Sequence, residues 1–222
     1  MMTNLFSSFD PATSNSISMN WISTMTFIAL MPPMYWMTPN QGQVMLNSMT
    51  KIMSNEFKIL IGPTYLSTLI IMTSMFIFIM TNNLLGLLPY TFTSSSHIVF
   101  TMSLALPLWV ALMMFGWINN TKNMLAHLIP TGTPMPLMPF MVCIETISNI
   151  IRPGSLAVRL TANMIAGHLL MTLLGNSATI MNYTSLMVFS AQIILMWFET
   201  AVSVIQAYVF SVLSTLYSSE VI

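Results

Sequence analysis

Charge is what this sequence has least of. Among 222 residues, five are Lys or Arg and five are Asp or Glu, so charged side chains make up only 5% of the chain. A soluble domain carries about 25%, because a water-facing surface must be solvated. So few charges cannot coat a globule in water. Cysteine is nearly absent too: Cys143 stands alone, which excludes an internal disulfide and a thiolate metal cluster. The three histidines, His97, His127 and His168, fall in separate regions and offer no facing pair to hold haem across two spans. A net charge of zero leaves no basic footprint for nucleic acid. No Gly-x-x-x-x-Gly-Lys-Ser/Thr segment occurs, so nucleotide chemistry is expected elsewhere. Met1 to Asp10 has neither the pattern of a secretory signal nor the Arg-rich look of a transit peptide. The expectation is a chain that inserts by its own spans, or is made where it works.

Hydrophobic residues, by contrast, make up 55% of the chain, and 25 of them are methionine. Methionine substitutes freely for leucine and isoleucine in apolar packing. Without His or Cys clustered around them, these methionines read as a compositional bias and not as metal ligands. No cofactor or metal is expected. Lipid is the main solvent.

A spanning helix needs about 20 mostly apolar residues. Residues from about Ile17 to Trp36 are the first candidate, ended or kinked by Pro32-Pro33. From Met45 to Ile61 the pattern changes. Met45, Leu46, Met49, Ile52, Met53, Phe57, Leu60 and Ile61 make one face, and Asn47, Ser48, Lys51, Ser54, Asn55 and Lys58 fill the other. That is an amphipathic helix, expected to lie along the membrane surface. Tyr65–Leu88 and Ile98–Ile118 are the next spans, joined by the polar turn Thr93-Ser94-Ser95-Ser96-His97. His97 and His127 are expected to be solvated beside loops. The loop from Pro130 to Pro136 then divides the chain.

Two long helical stretches follow, about Leu137–Leu174 and Asn182–Tyr217. At 1.5 Å per residue each exceeds about 50 Å, against roughly 30 Å of hydrocarbon. Each is too short for two spans and a turn, so both must tilt, bend or project, and Pro153-Gly154 is the expected bend in the first. The fold class is therefore an all-α membrane protein. It has about five transmembrane helices plus one amphipathic surface helix, the last two long, tilted and antiparallel. Residues 1–222 form one polytopic domain, with peripheral spans and the surface helix in 1–130 and the long hairpin in 137–222. Lys51, Lys58 and Lys122 all fall on one side, which the positive-inside rule makes the inner one, with the N-terminus outside and the C-terminus inside.

Ionisable groups inside spans are costly, about 2.5–3.5 kcal/mol for an arginine at a helix centre on insertion scales. All those buried in spans here belong to the second half: Glu145, Arg152, Arg159 and His168 on one long helix, Glu199 and Glu220 on the other. Arg159 lies about 21 Å beyond Glu145, and His168 about 13 Å beyond Arg159. The antiparallel arrangement gives an outer pair (His168, Glu199), a central arginine and an inner pair (Glu145, Glu220). Glu145, Arg152 and Arg159 repeat at heptad spacing, as do Gln192, Glu199 and Gln206, so each helix carries a polar stripe. Asn163 lies one turn after Arg159. Arg152 is expected to be structural or interfacial, and Ala162, Ala166 and Gly167 allow close approach by another helix. Two proton-accepting clusters separated by a permanent cation suit two offset proton paths.

The run Arg159-Leu160-Thr161-Ala162-Asn163-Met164-Ile165-Ala166-Gly167-His168 resembles the signature helix of subunit a of the F-type ATP synthases, in their mitochondrial form. So do Ile150-Ile151-Arg152-Pro153-Gly154-Ser155, Glu199 with Ile205-Gln206-Ala207-Tyr208, and Asn82-Asn83-Leu84-Leu85-Gly86-Leu87-Leu88-Pro89-Tyr90. The resemblance covers most of the chain from Phe78 onward. It implies a stator subunit, not catalytic by itself, pressed against a rotating ring of c subunits in the mitochondrial inner membrane. Other stator and membrane-sector subunits would be its partners, besides the lipid bilayer and protons, and nucleic acid would not. It implies that Arg159 faces the ring carboxylates, that Glu199 and His168 serve an outer half-channel and Glu145 and Glu220 an inner one. Gln206 and Asn163 match polar neighbours of the arginine. Bacterial members carry a carboxylate in place of His168 and a histidine in place of Glu199, so this arrangement is mitochondrial in type. A self-contained transporter is the alternative from another class, but no inverted repeat is visible.

Overall fold

With no water in the hydrocarbon, an apolar run must satisfy its own backbone, and a helix does so within one segment. The computed structural model describes residues 4–13, 17–32, 36–62, 66–89, 91–129, 133–177 and 183–221, and among them every regular element is helical. The chain is an all-α membrane protein. Pro33, Tyr65, Tyr90, Pro130 to Gly132 and Asn182, which figure in the sequence reading, lie outside the described residues.

Among the described residues, four helices are long and apolar enough to cross a membrane: α3 (Leu66–Gly86), α4 (Ile98–Asn119), α6 (Met138–Ser177) and α7 (Tyr183–Val221). Before them come α1 (Thr26–Leu30) and α2 (Gln41–Ile61), and α5 (Thr121–His127) sits between α4 and α6. The first expected span is shorter than its sequence suggests. Met19–Met25 is a 3-10 helix that runs straight into α1, so the helical stretch stops at Leu30. Polar Asn20, Ser23, Thr24 and Thr26 break its apolar face, and the Ser23, Thr24 and Thr26 hydroxyls bond backbone carbonyls.

α2 begins at Gln41, a turn earlier than its apolar pattern. Gln43 closes its start, where the Asn40 N–H donates to Oε1 at 2.9 Å. It ends at Gly62, whose φ of 89° favours glycine. The apolar face packs across α3 and α7, with Phe57 and Ile61 buried against Leu69 and Met72. The Tyr208 hydroxyl of α7 adds a bond to Glu56 Oε2 at 3.1 Å. The main core lies where α3, α4, α6 and α7 meet, around Phe76, Ile79, Ala105, Leu156, Ala157, Leu160, Ala207 and Phe210.

α7 is polar on its buried side. Ser203, Ser211, Ser214, Thr215 and Ser218 are buried, whereas Ile194, Trp197, Phe198 and Ile205 are exposed. Each buried hydroxyl donates to a carbonyl one turn back on its own helix. The small side chains let α3 approach closely, and the outward apolar face suits lipid or a partner helix. α6 continues through Pro153 and α4 through Pro107 without a break in helix. The turn before α4 is not solvated: Ser94, Ser95 and Ser96 are buried. His97 is packed as well, against the expectation. Its ring stacks on Phe92 and meets Trp21, both with centroids 5.2 Å away. Three aromatic rings pack better together than apart in water, which draws this histidine in. His127 is exposed.

Candidate functional site

Two contacts fix the register of the α6–α7 hairpin. Arg152 bonds Glu220, and a Cβ at Gly167 would touch Glu199. Forward on α6 is backward on α7, so the two long helices are antiparallel. At 40 and 39 residues they carry their ionisable groups at two well-separated ends.

At the end that the lysine pattern makes inner, the residues meet around a cation. Glu145 and Arg152 share a face of α6, two turns apart. Arg152 Nη2 lies 3.2 Å from Glu145 Oε1, and Nη1 lies 2.7 Å from Glu220 Oε2. Its guanidinium also sits 5.0 Å from the centre of the Tyr217 ring, a cation–π contact. All three charged residues line a cavity of about 490 Å³ with Trp109, Trp117 and His127. Arg152, expected to be structural or interfacial, therefore joins both carboxylates of the inner pair. The heptad spacing from Glu145 through Arg152 to Arg159 carried the signal.

The outer end has no such cation. His168 and Glu199 line a cavity of about 760 Å³ together with Thr172 and Gln192. No hydrogen bond joins them. His168 Nε2 lies 2.9 Å from the Gly86 carbonyl of α3, a pairing that places the ring proton on Nε2. The Glu199 side chain crosses directly over Gly167: a Cβ there would stand 2.9 Å from both its carboxyl carbon and Oε1. Glu199 Oε1 is buried and has no partner among the described residues. Residues that the sequence reading passed over line the same cavity, among them Ser7, Ser8 and Asp10. Nothing in the spacing could announce them, because they lie far away in the chain.

Between the ends stands Arg159. It is exposed, and the described residues give it neither a hydrogen bond nor an ion pair. Asn163 and Gln206 are half-buried, and no hydrogen bond links either to Arg159. Ser155, Ala162 and Ala166 lie exposed on the same face of α6, and Phe198, Ala201 and Ile205 on α7. An unpaired cation in hydrocarbon is costly. Asn83 of α3 is fully buried, and its Nδ2 donates to the Ser203 carbonyl at 3.4 Å.

A family model described as ATP synthase A chain matches residues 16–219. The chain belongs to this family. ATP synthase subunit a of Drosophila melanogaster is 57% identical over 223 residues, and that of Anopheles gambiae 57% over 225, in both cases across 100% of each chain. The locust relative, from Locusta migratoria, is 55% identical over 225 residues with the same full coverage. As a member of the ATP synthase A chain family, the protein is a multi-pass subunit of the membrane sector, the part that transports protons in ATP synthesis.

Proposed function

We propose that this chain is the stator subunit that carries protons across the mitochondrial inner membrane to and from a rotating ring of c subunits. Protons enter from the intermembrane space through the cavity of His168 and Glu199 and pass to a ring carboxylate. After rotation they leave to the matrix through the cavity of Glu145 and Glu220. The two paths are offset, and Arg159 stands between them. A guanidinium stays charged in proteins, so it pairs with each ring carboxylate that passes and blocks a direct proton leak. Asn163 and Gln206 flank it as polar neighbours. Other stator subunits complete the assembly, and ATP itself is made in another sector.

One observation carries this reading. Carboxylate-bearing cavities occupy opposite ends of the hairpin, and the arginine between them has no counter-charge of its own on an exposed face. The 137–222 hairpin then carries the proton path, and 1–130 supports it within a single domain. The N-terminus faces the intermembrane space and the C-terminus the matrix, as the three lysines suggest.

The test is ATP-driven proton pumping, with passive leak, in vesicles that hold the whole complex carrying Arg159→Ala. Loss of pumping in an assembled complex is the expected result. Undiminished pumping would make the arginine structural and the mechanism wrong.

A further inference from the structure

Carboxylates are scarce here, and their placement is not even. The chain has five: Asp10, Glu56, Glu145, Glu199 and Glu220. Glu145 and Glu220 share the inner cavity with Arg152, and Glu56 is bonded by Tyr208. The remaining two, Asp10 and Glu199, line the same outer cavity, although 189 residues separate them in sequence. Among the described residues no Lys or Arg lines that cavity, and the only other ionisable group in its wall is His168.

The first described segment closes one side of this cavity. Residues Leu5–Phe9 form a short 3-10 helix that packs on α6. Phe9 meets the His168 ring edge-on, with centroids 6.0 Å apart, and Phe6 lies 6.5 Å from Phe9. Ser7 and Ser8 line the space beside them, with their hydroxyls donating to the Asn4 and Leu5 carbonyls. Asp10 follows at the end of this helix, where its N–H donates to the Ser7 carbonyl at 3.4 Å and two more bonds hold it. Its Oδ1 accepts from the Ala12 N–H at 3.0 Å, and its carbonyl accepts from Asn20 Nδ2 at 3.1 Å. Oδ2 takes no bond from any described residue. Within a single cavity, accessibility therefore grades inward, from exposed Asp10 at the rim to the buried Oε1 of Glu199.

We propose that the Leu5–Asp10 segment is the outer wall of the proton entrance and that Asp10 is the carboxylate that collects protons at its mouth. The proposal rests on the reading of His168 and Glu199 as the outer path and adds its first station. An acidic cleft without a cation concentrates hydronium and protonated buffer, as a low-dielectric cleft of one sign does for any counter-ion. Asp10 takes a proton from solvent on Oδ2 and returns it across the cavity, through water, toward His168 and Glu199. Phe9 shields the imidazole from bulk water on that side, so protons arrive past Asp10 and not around it.

The experiment is proton-driven ATP synthesis by the whole complex in vesicles, at fixed driving force, with outer-side pH and mobile buffer varied. Asp10→Asn is expected to slow synthesis about tenfold at alkaline outer pH and low buffer, the lower end of what charge focusing adds to a capture rate. Raising the buffer restores the rate, because a diffusing acid replaces the lost carboxylate, and Asp10→Glu behaves as the unsubstituted chain. An Asp10→Asn rate unchanged under every condition overturns the proposal. So does a loss that buffer does not relieve, which would mean a structural role. Glu199→Gln is measured alongside: normal synthesis there would sink the outer path itself, whereas a lost Glu199→Gln with a normal Asp10→Asn sinks only the role of Asp10.

Discussion

The two ends of the α6–α7 hairpin solve the same problem differently. At the inner end, Arg152 lies against both carboxylates, so Glu145 and Glu220 have a fixed counter-charge. At the outer end Glu199 has no cation, and one carboxyl oxygen has no partner among the described residues. A carboxyl group that is not paired is free to change protonation state without breaking a bridge. One that is paired must give up a bond to do so. On the function proposed above, the outer end is then where a single residue should matter most, and the inner end is where the load should be shared among three.

The largest effect should therefore come from Glu199. Glu199→Gln keeps size and hydrogen bonding but cannot carry a proton, and proton-driven ATP synthesis should fall about a hundredfold or more, the range for removal of an acid–base group. Synthesis measured in vesicles, with assembly checked on a native gel, decides it. A fall no greater than that of Glu220→Gln would erase the asymmetry between the ends.

Arg152 comes next, and its effect should be on stability. Its side chain is 27% exposed, with Glu145 at 31% and Glu220 at 57%. Fully buried pairs cost about 3–5 kcal/mol to break, and exposed pairs at most about 1 kcal/mol. Arg152→Ala should fall between, about 1–3 kcal/mol, read as a lower thermal midpoint of the solubilised complex. Adding Glu220→Gln to it should recover part of the loss, because one of the two uncompensated charges is then gone.

Gly167→Ala returns to the outer end with a smaller change. Alanine favours a helix over glycine by about 1 kcal/mol, so α6 itself should not suffer. The new methyl would meet the Glu199 carboxyl at 2.9 Å, and that flexible tip must move aside. Proton-driven synthesis should slow several-fold while the thermal midpoint holds or rises. An unchanged rate would show that the position of Glu199 over Gly167 has no bearing on proton transfer.

Much of this was legible in residue order, and the reasons differ from place to place. The long hairpin could be read because apolar length and heptad-spaced polar residues are local signals, and Arg159, His168 and Glu199 stand out where charge is expensive. Gly167 could be read as a close approach because a small residue has few other uses beside a polar stripe. The clamp on Arg152 was half-visible: its spacing to Glu145 lay in the sequence, but the bond to Glu220 depends on hairpin register. The Leu5–Asp10 wall could not be read, since no periodicity links it to His168. The short stretch Met19–Leu30 was overestimated because an apolar count does not see where Ser and Thr bond the backbone. His97 was misjudged because its aromatic cage combines Phe92 with distant Trp21.

The smallest effect tests the other contrast, between the two faces of α7. Its buried face is rich in hydroxyl residues, beside Ala207 and Phe210, and its exposed face in large apolar ones. Ser214 also reaches across to Met72 of α3 at 3.2 Å. Ser211 donates only to the Tyr208 carbonyl of its own helix at 2.9 Å and is completely buried. That carbonyl already accepts a bond from the backbone one turn on, so losing the hydroxyl strands no donor and no sole acceptor. What Ser211 supplies is small size. Ser211→Ala should then change the thermal midpoint of the complex by the equivalent of less than about 1 kcal/mol, with proton transport intact. Ser211→Leu, which is apolar like alanine but fills the gap between helices, should cost clearly more, as overpacking does. If alanine were the more damaging of the two, the face would be selected for its hydrogen bonds and not for the closeness it allows.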